Sequence, residues 1–317
     1  MVVHTKRVYF IFTLLLAGLF ANVARAEPQT VFVSILPQKF IVEQIGAGAV
    51  NVAVMVAPGA SPHTYEPKPA QMAALSKAGL YFSVGVSFEK AWLPRFAAAN
   101  RRMKIVPMDK GIEKLPMVDH AHADDDHDHA HHNHGHAHDQ KPHSHAHPHA
   151  HQEHDSLLDP HIWLSPPLVK VMARHTLEAL LALAPEHAEL FQRNYEAFTR
   201  RLDELHTRIG QILADSQGQP FMVFHPSWGY FAHAYGLVQI PIEIDGKEPK
   251  PAQIRQLIQE AREHGIKVVF VQPQFSARSA RMIADALDGQ VLEADPLAYA
   301  WDVNLLEQAR VFQKAVR

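Results

Sequence analysis

The chain has 317 residues, of which 47% are hydrophobic and 20% are charged, a composition typical of soluble globular proteins. This length suits about two domains of roughly 100–200 residues each. The formal net charge of -3 excludes the basic surface that nucleic-acid-binding proteins present, and the lack of cysteine excludes disulfides and thiolate metal ligands.

Residues 1–26 have the three parts of an export signal. Two basic residues come first, followed by an apolar run of 13 residues (8–20) and the small-x-small pattern Ala24-Arg25-Ala26. A membrane anchor is the alternative, but the run is shorter than the roughly 20 residues that a spanning helix needs. We therefore expect cleavage after Ala26, no membrane insertion elsewhere in the chain, and a mature protein in the periplasm.

Between residues 30 and 107, short β-branched runs alternate with amphipathic helical runs. This alternation predicts a parallel sheet with helices on both faces. The predicted strands are 30–36, 50–56, 80–84 and 104–107, and the predicted helices between them are 38–45, 69–77 and 88–99.

A histidine-rich tract follows at residues 119–155 and contains 15 of the 24 histidines in the chain. Almost none of its apolar residues is larger than alanine, so the tract has little to bury, and we expect it to be disordered without metal. Two functions are open. The tract is either a solubilising low-complexity loop or an antenna that captures Zn²⁺ weakly and raises its concentration near a tighter site. The alternation of His with Asp favours the antenna.

Two helices are predicted after the tract, at 167–183 and 185–215, and the βα alternation then restarts. The second helix has about 30 residues and a length of roughly 45 Å, which suits a stiff connector between domains. The remaining predicted strands are 220–224, 238–244, 267–271 and 290–293, and the remaining predicted helices are 229–235, 251–264, 277–287 and 303–316.

The sequence therefore predicts an α/β protein of two lobes, each with a parallel sheet flanked by helices, joined by a long rigid connecting helix. The N-terminal lobe is 27–184 and includes the tract, the connecting helix is 185–215, and the C-terminal lobe is 216–317. The lobes share this pattern, but we expect no close sequence repeat between them.

Four loops carry side chains that can bind a metal. His63 lies in PGASPHTYEP, His161 in DPHIWLSP, His225 in FHPSWGYF and Asp295 in LEADPLA, and each loop has a proline next to or close to the polar residue. Three of these loops follow predicted strands, where ligands bind in open α/β sheets. Three neutral imidazoles with a carboxylate or a water suit four-coordinate Zn²⁺. We therefore predict a zinc site of His63, His161 and His225, with Asp295 as a candidate fourth ligand.

Other readings of the residues near these motifs stay open. Asp295 could instead cap the turn that follows it by accepting a backbone hydrogen bond. Glu66 could bind metal, but we favour a role in bracing the loop or in holding the outer nitrogen of a metal-bound imidazole. Trp163 and Trp228 are expected to pack or to line the cleft.

These motifs, together with the export signal, the two βα lobes, the long helix and the tract, strongly resemble the ZnuA-type zinc-binding proteins of bacterial zinc ABC importers. The resemblance covers nearly the whole mature chain. It implies that His63, His161 and His225 bind zinc, and that a monomer delivers the metal to a membrane permease whose ATPase is a separate subunit. Manganese-specific relatives usually carry Glu at the third position, so His225 indicates zinc.

The sequence departs from the family pattern at two points. Some zinc-binding members have Glu immediately before the first histidine, where this chain has Pro62. Some also have a disulfide in the second lobe, which a chain without cysteine cannot form. The fourth zinc position therefore falls to Asp295 or to a water.

Two functions other than zinc delivery are considered. A secreted zinc hydrolase also uses three histidines and an open position, but the chain has no HExxH or GxSxG motif and no convincing general base. An extracytoplasmic zinc buffer or a metal-dependent adhesin would use the same fold without transport, and the fold alone does not exclude either.

Overall fold

The computed structural model describes residues 28–117, 158–244 and 246–316. The predicted export signal at 1–26 and the histidine-rich tract at 119–155 lie outside these ranges. Among the helices that are described, none is both long enough and apolar enough to cross a membrane.

The first lobe is built on a parallel sheet of four strands in the order β2-β1-β3-β4. The strands are β1 (Gln29–Val33), β2 (Val50–Val54), β3 (Leu80–Ser83) and β4 (Lys104–Pro107), and the helices are α1 (Leu36–Gly46), α2 (Pro69–Leu75), α3 (Ser87–Ala99) and α4 (Pro166–Leu183). The two central strands are apolar and largely buried, as expected for a parallel sheet that helices cover on both faces.

The second lobe repeats this plan with the strand order β6-β5-β7-β8. Its strands are β5 (Pro220–Val223), β6 (Val238–Pro241), β7 (Val268–Val271) and β8 (Gln290–Glu293), and its helices are α6 (Gly229–Tyr235), α7 (Pro251–Glu263), α8 (Arg278–Ala286) and α9 (Trp301–Ala315). The predicted fold class, two parallel-sheet lobes with a long helix between them, is confirmed.

Two predicted strands, 30–36 and 238–244, each end three residues earlier than expected. The first strand stops at Val33, and the Oε1 of Gln38 accepts hydrogen bonds from the backbone N–H groups of Ser34 and Ile35 at 3.0 and 3.2 Å. The strand predicted at 238–244 stops at Pro241, after which the chain turns into a loop. Both early endings leave loop at the carboxyl edge of a sheet, where ligands bind.

The lobes share a six-residue sequence that the pattern analysis missed. EPKPAQ occupies 66–71 and 248–253, and each copy leads into the helix that follows the second strand of its lobe. In each copy the second proline begins the helix and the glutamine Oε1 accepts the backbone N–H of the lysine, at 2.9 Å for Gln71 and 2.8 Å for Gln253. The expectation that the lobes lack a close repeat is therefore wrong for this segment.

The predicted helix at 185–215 is α-helical over Ala188–Ile212, called α5, with a 3₁₀ turn at each end. Its 25 residues span about 38 Å. The helix packs against α1 and α4 of the first lobe and against α9 of the second. Its buried residues are Phe191, Phe198, Leu202, Leu205 and Ile209. One apolar core therefore runs through the first lobe, the long helix and part of the second lobe.

Two tryptophans connect the lobes beside the cleft. The indole Nε1 of Trp163 donates to the carbonyl oxygen of Pro296 at 2.7 Å, and that of Trp301 donates to the carbonyl oxygen of Trp163 at 2.8 Å. Trp163 and Trp228 are fully buried, in agreement with the packing role expected for both. These contacts fix the wall of the cleft that carries His161.

Candidate metal centre

The three predicted histidine ligands meet in the cleft between the lobes. His63 lies in the loop between β2 and α2, His225 lies two residues after the end of β5, and His161 precedes a 3₁₀ turn at Ile162–Leu164. One ring nitrogen of each lies within 4.8 Å of those of the other two, and His63 Nε2 is 3.1 Å from His225 Nε2. With Zn–N distances of about 2.0–2.1 Å, the nitrogens of a tetrahedral site lie about 3.3 Å apart. The His63–His225 pair therefore already has nearly the spacing that a zinc site requires.

His225 is buried and held from several sides. Its Nδ1 lies 2.7 Å from Glu243 Oε1, a carboxylate in the loop after β6. The side-chain amide of Gln272 forms two hydrogen bonds with the backbone of His225: it accepts from the N–H at 3.1 Å and donates to the carbonyl oxygen at 2.5 Å. The ring of Phe275 stacks on the imidazole with a centroid distance of 4.9 Å and an interplanar angle of 20°. This imidazole is therefore positioned before any metal arrives.

His161 is also buried and paired with a carboxylate. Asp159 Oδ1 lies 2.7 Å from His161 Nδ1 and accepts the backbone N–H of His161 at 2.8 Å. A carboxylate accepts hydrogen bonds and does not donate them, so the Nδ1 atoms of His161 and His225 must carry their protons. The Nε2 atom of each ring is then left with a free lone pair, which is the form that binds zinc.

His63 is held more loosely. The residue is exposed, and its Nδ1 lies 3.0 Å from the hydroxyl oxygen of Ser87. Its loop is fixed at both ends by Gln71, which donates to the carbonyl oxygen of Met55 at 2.8 Å and accepts the N–H of Lys68. A hydroxyl can donate or accept, so Ser87 is compatible with either neutral tautomer of the imidazole. His63 can therefore donate to His225 without metal and offer its Nε2 lone pair when zinc binds.

The environment keeps two of these imidazoles neutral. Burial lowers the pKa of His225, although the hydrogen bond to Glu243 opposes this shift. His63 is exposed as a residue, but its ring lies against His225 and Phe275, and desolvation followed by repulsion from His225 and His161 lowers its pKa. Neutral imidazole is the metal-binding form, so both shifts favour metal binding at mildly acidic pH.

The cavity at the three imidazoles is small, about 20 Å³. Its other walls are mostly apolar, with Gln274 and Ser87 as the polar side chains beside the histidines. The apolar lining residues are Pro62, Val86, Pro160, Trp163, Phe275, Pro296 and Leu297. The site therefore has room for one small ligand in addition to the imidazoles.

Asp295 and Glu66 are not among the residues that line this small cavity. Asp295 lines a larger neighbouring cavity of about 710 Å³, and its Oδ1 accepts the N–H of Leu297 at 2.9 Å, which is the turn-capping bond that the sequence left open. Glu66 is exposed. The outer nitrogens of the three imidazoles face Ser87, Asp159 and Glu243 instead.

These three outer partners were missed by the sequence reasoning. Asp159 was within reach, because it precedes His161 by two residues in the quoted DPH motif. Ser87 and Glu243 are 24 and 18 residues from the histidines they hold, so only the fold brings each pair together.

Known proteins resemble this chain in sequence and in fold. A model of the ZnuA family, the periplasmic component A of the zinc-uptake complex, matches residues 31–303, which include all three histidines. The chain belongs to the ZnuA family. Proteins named high-affinity zinc uptake system protein ZnuA from Brucella abortus (strain 2308) and Haemophilus influenzae are 32% and 33% identical to it. The alignments cover 91% and 84% of this chain and 90% and 85% of those proteins.

Solved structures agree with this assignment. A crystal structure of ZnuA is 38% identical, covers 91% of this chain and 99% of its own, and has a TM-score of 0.78. The laminin-binding protein Lmb of Streptococcus agalactiae, a bifunctional protein with adhesin and metal-transporting activity, has a TM-score of 0.73 and covers 91% of this chain and 99% of its own. Lmb is only 19% identical, so its likeness shows the fold alone. The resemblance to the ZnuA type is thus confirmed.

Proposed function

We propose that this chain is a periplasmic high-affinity zinc-binding protein that delivers Zn²⁺ to the permease of an ABC importer for zinc uptake. The observation that supports this most directly is the convergence of three imidazoles from three separate loops, with their outer nitrogens already hydrogen-bonded. Membership of a family of zinc-uptake components supports the same function.

In this proposal His63, His161 and His225 bind zinc through their Nε2 atoms, and Asp295 or a water takes the fourth position. His161 and His225 present their lone pairs in advance. His63 joins by shifting its proton to Nδ1, where Ser87 can accept it in a hydrogen bond. Any imidazole that is protonated in the free protein must lose its proton, so loading becomes weaker as the pH falls.

Capture and release then depend on small movements of the ligand loops. The long helix α5 packs on both lobes, and the core is continuous between them, so wide opening of the cleft is disfavoured. The loop that carries His63 is the exposed side of the site, and a shift of this loop would open a path for the ion.

The histidine-rich tract at 119–155 would serve as the antenna. The residues that flank it are held beside the site, because Pro116 and Leu158 form an antiparallel bridge and Asp159 N donates to Leu115 O at 2.8 Å. Asp159 is also the partner of His161. Zinc captured weakly by the tract is thus tethered near the cleft, which raises its local concentration. Export with cleavage after Ala26 would place the mature monomer next to the permease.

The alternatives are less well supported. The family is one of uptake components, which favours transport over hydrolysis. The adhesin among the structural relatives also transports metal and shares only the fold with this chain. A zinc buffer would bind the ion equally well, so only an uptake assay separates that function from delivery.

Competitive zinc titration of the mature protein tests this proposal. The comparison proteins are a variant without residues 119–155 and the triple variant His63/His161/His225→Ala. We expect one tight site that survives the deletion and is lost in the triple variant, with weak sites that are lost with the tract. Tight binding that persists in the triple variant would move the primary site into the tract and favour a zinc buffer.

A further inference from the structure

The first two residues of helix α6, in the second lobe, lie against Asp159 of the first lobe. The Tyr230 hydroxyl donates a hydrogen bond to the carbonyl oxygen of Asp159 at 2.9 Å. A Cβ atom added at Gly229 would lie 2.7 Å from Asp159 Oδ2. Asp159 is also the carboxylate that faces Nδ1 of His161. The second lobe therefore contacts both the backbone and the side chain of the residue that holds this ligand.

The Tyr230 hydroxyl fixes the backbone of Asp159. Burial raises the pKa of Tyr230 to about 12, so the hydroxyl keeps its proton and can donate it. The same oxygen accepts the N–H of Leu115 at 3.0 Å, and the carbonyl oxygen of Leu115 accepts the N–H of Asp159 at 2.8 Å. Both backbone groups of Asp159 are therefore hydrogen-bonded, and this sets the direction in which its side chain leaves the backbone.

Gly229 leaves the Asp159 carboxylate little freedom. Nonbonded heavy atoms make their best contact at about 3.5–4.0 Å, so a Cβ atom 2.7 Å from Oδ2 would force one side to move. The helix is the less mobile side, because the N–H of Trp228 donates to Gln239 Oε1 at 2.7 Å and the Tyr230 ring is buried. A methyl group at position 229 should therefore displace the carboxylate.

The position of this carboxylate decides the state of His161. Asp159 Oδ1 accepts the backbone N–H of His161 at 2.8 Å and lies 2.7 Å from its Nδ1, so it selects the tautomer that carries the proton on Nδ1. His225 lies four residues before Gly229. One segment of the second lobe, residues 225–230, therefore carries one ligand and holds the outer partner of another.

We infer that Gly229 and Tyr230 are positioning residues for zinc binding. They seat Asp159, and Asp159 presents the Nε2 lone pair of His161 to the metal. The inference rests on the proposed three-histidine site. His161 belongs to the first lobe by sequence, but its orientation depends on the second lobe. A movement that separates the lobes would withdraw Asp159 from Tyr230 and loosen His161, so this contact couples opening of the cleft to release of the ion.

The tautomer of His161 in the metal-free protein tests the inference directly, because it does not depend on zinc. Two-bond ¹H–¹⁵N correlation spectra of the full chain at pH 8 distinguish the two neutral forms, and the His161→Ala variant identifies the signal. We expect the wild type to carry the proton on Nδ1 and Gly229→Ala to populate the form protonated on Nε2. Gly210→Ala in α5 is the matched control and should change nothing, since a Cβ atom there would stand in open space.

Zinc affinity shows whether Gly229 acts through Asp159. Gly229→Ala should lower the affinity of the tight site about tenfold, the size expected when an outer partner is displaced. In an Asp159→Ala background the carboxylate is gone, so the same change should have less than about a twofold effect. Tyr230→Phe removes only the hydroxyl and should lower the affinity about threefold. It keeps the inference testable if Gly229→Ala does not fold.

Three results would overturn the inference. The first is a His161 tautomer that is unchanged in both Gly229→Ala and Tyr230→Phe. The second is zinc affinity within about twofold of the wild type in both variants. The third is an equal loss from Gly229→Ala with and without the Asp159 carboxylate, which would indicate a general structural effect. Tight zinc binding that persists in His63/His161/His225→Ala would refute the proposed site and the inference together, whereas a confirmed site with an unchanged tautomer refutes the inference alone.

Discussion

The two loops that lead into EPKPAQ occupy equivalent places in the two lobes, yet they serve the metal centre in different ways. In the first lobe, the loop at 55–68 carries the exposed ligand His63. In the second lobe, the shorter loop at 242–250 carries the buried Glu243, which holds the ligand His225 from β5. The same backbone plan thus provides a metal ligand on one side and the outer partner of a ligand on the other.

Burial explains what this difference achieves. His225 and Glu243 are both buried, so each needs the other for its hydrogen bond, and the pair is part of the fold. His63 is bonded to a serine hydroxyl near the surface, and the fold depends on it less. The second lobe therefore presents a fixed ligand, His225, and the first lobe presents an adjustable ligand, His63, in addition to the fixed His161.

Loss of a ligand has the largest expected effect. His63→Ala and His225→Ala should each lower zinc affinity by more than about 100-fold, beyond the range typical for an outer partner. The two variants should differ in stability when no metal is bound. His225→Ala leaves Glu243 buried without its partner and should reduce the free energy of unfolding by about 1–3 kcal/mol, whereas His63→Ala should change it little. Chelator competition and thermal unfolding measure the two quantities, and equal destabilisation by both variants would contradict this distinction between a fixed and an adjustable ligand.

Loss of an outer hydrogen-bond partner should lower zinc affinity less than loss of a ligand, and the effect should differ between the two lobes. Glu243→Ala removes the carboxylate that fixes the tautomer of His225 and should lower zinc affinity by about 10–100-fold. Ser87→Ala removes a neutral hydroxyl from the exposed His63 and should stay below about tenfold. Competition with a chelator at one equivalent of zinc compares the two variants. A larger loss from Ser87→Ala would show that His63, and not His225, is the ligand that depends on its surroundings.

Much of this centre could be predicted from sequence, but the outer hydrogen bonds could not. His63 and His225 could be predicted because strand-end loops are recognisable from local pattern. His161 was singled out by its DPHIWLSP motif, and the family resemblance implied all three residues. The role of Glu243 could not be predicted, because it depends on how β6 lies beside β5, which the local sequence pattern does not specify. The ends of β1 and β6 were also missed, because they depend on side chains and on a turn that periodicity does not detect.

The metal-free protein should lose stability on acidification because of these imidazoles. The pKa values of His63 and His225 are lowered in the folded protein, while an unfolded histidine titrates near 6.5. Below about pH 6.5 the unfolded chain therefore binds more protons than the folded one. The free energy of unfolding then decreases as the pH decreases. Tm measured from pH 8 to 5 should fall less steeply in His63→Ala.

Glu89 provides a control of opposite sign for this experiment. Burial raises the pKa of its carboxyl from 4.5 to about 7, so the folded protein binds the extra proton between these values. Its contribution to stability therefore decreases as the pH rises through that window, and it partly offsets the histidines. Glu89→Gln should make the fall in Tm on acidification steeper. A flatter profile in this variant would show that Glu89 itself contributes to the fall in Tm, which contradicts a raised pKa of its carboxyl.

The smallest expected effect concerns the repeated segment itself. Glu66 and Glu248 begin the two copies of EPKPAQ, and both are exposed as residues. Glu248 accepts a hydrogen bond from the Ser279 hydroxyl at the start of α8, which connects its loop to a neighbouring helix. Glu248→Ala should therefore reduce the free energy of unfolding by about 1 kcal/mol, whereas Glu66→Ala, the matched control, should leave it nearly unchanged. Denaturant unfolding of the metal-free proteins gives both values. The loop anchored by Glu248 also carries Glu243, so Glu248→Ala should in addition weaken zinc binding slightly. A larger loss of stability in Glu66→Ala than in Glu248→Ala would contradict this prediction, because it would show that the loop of His63 depends more on its EPKPAQ segment than the loop of Glu243 does.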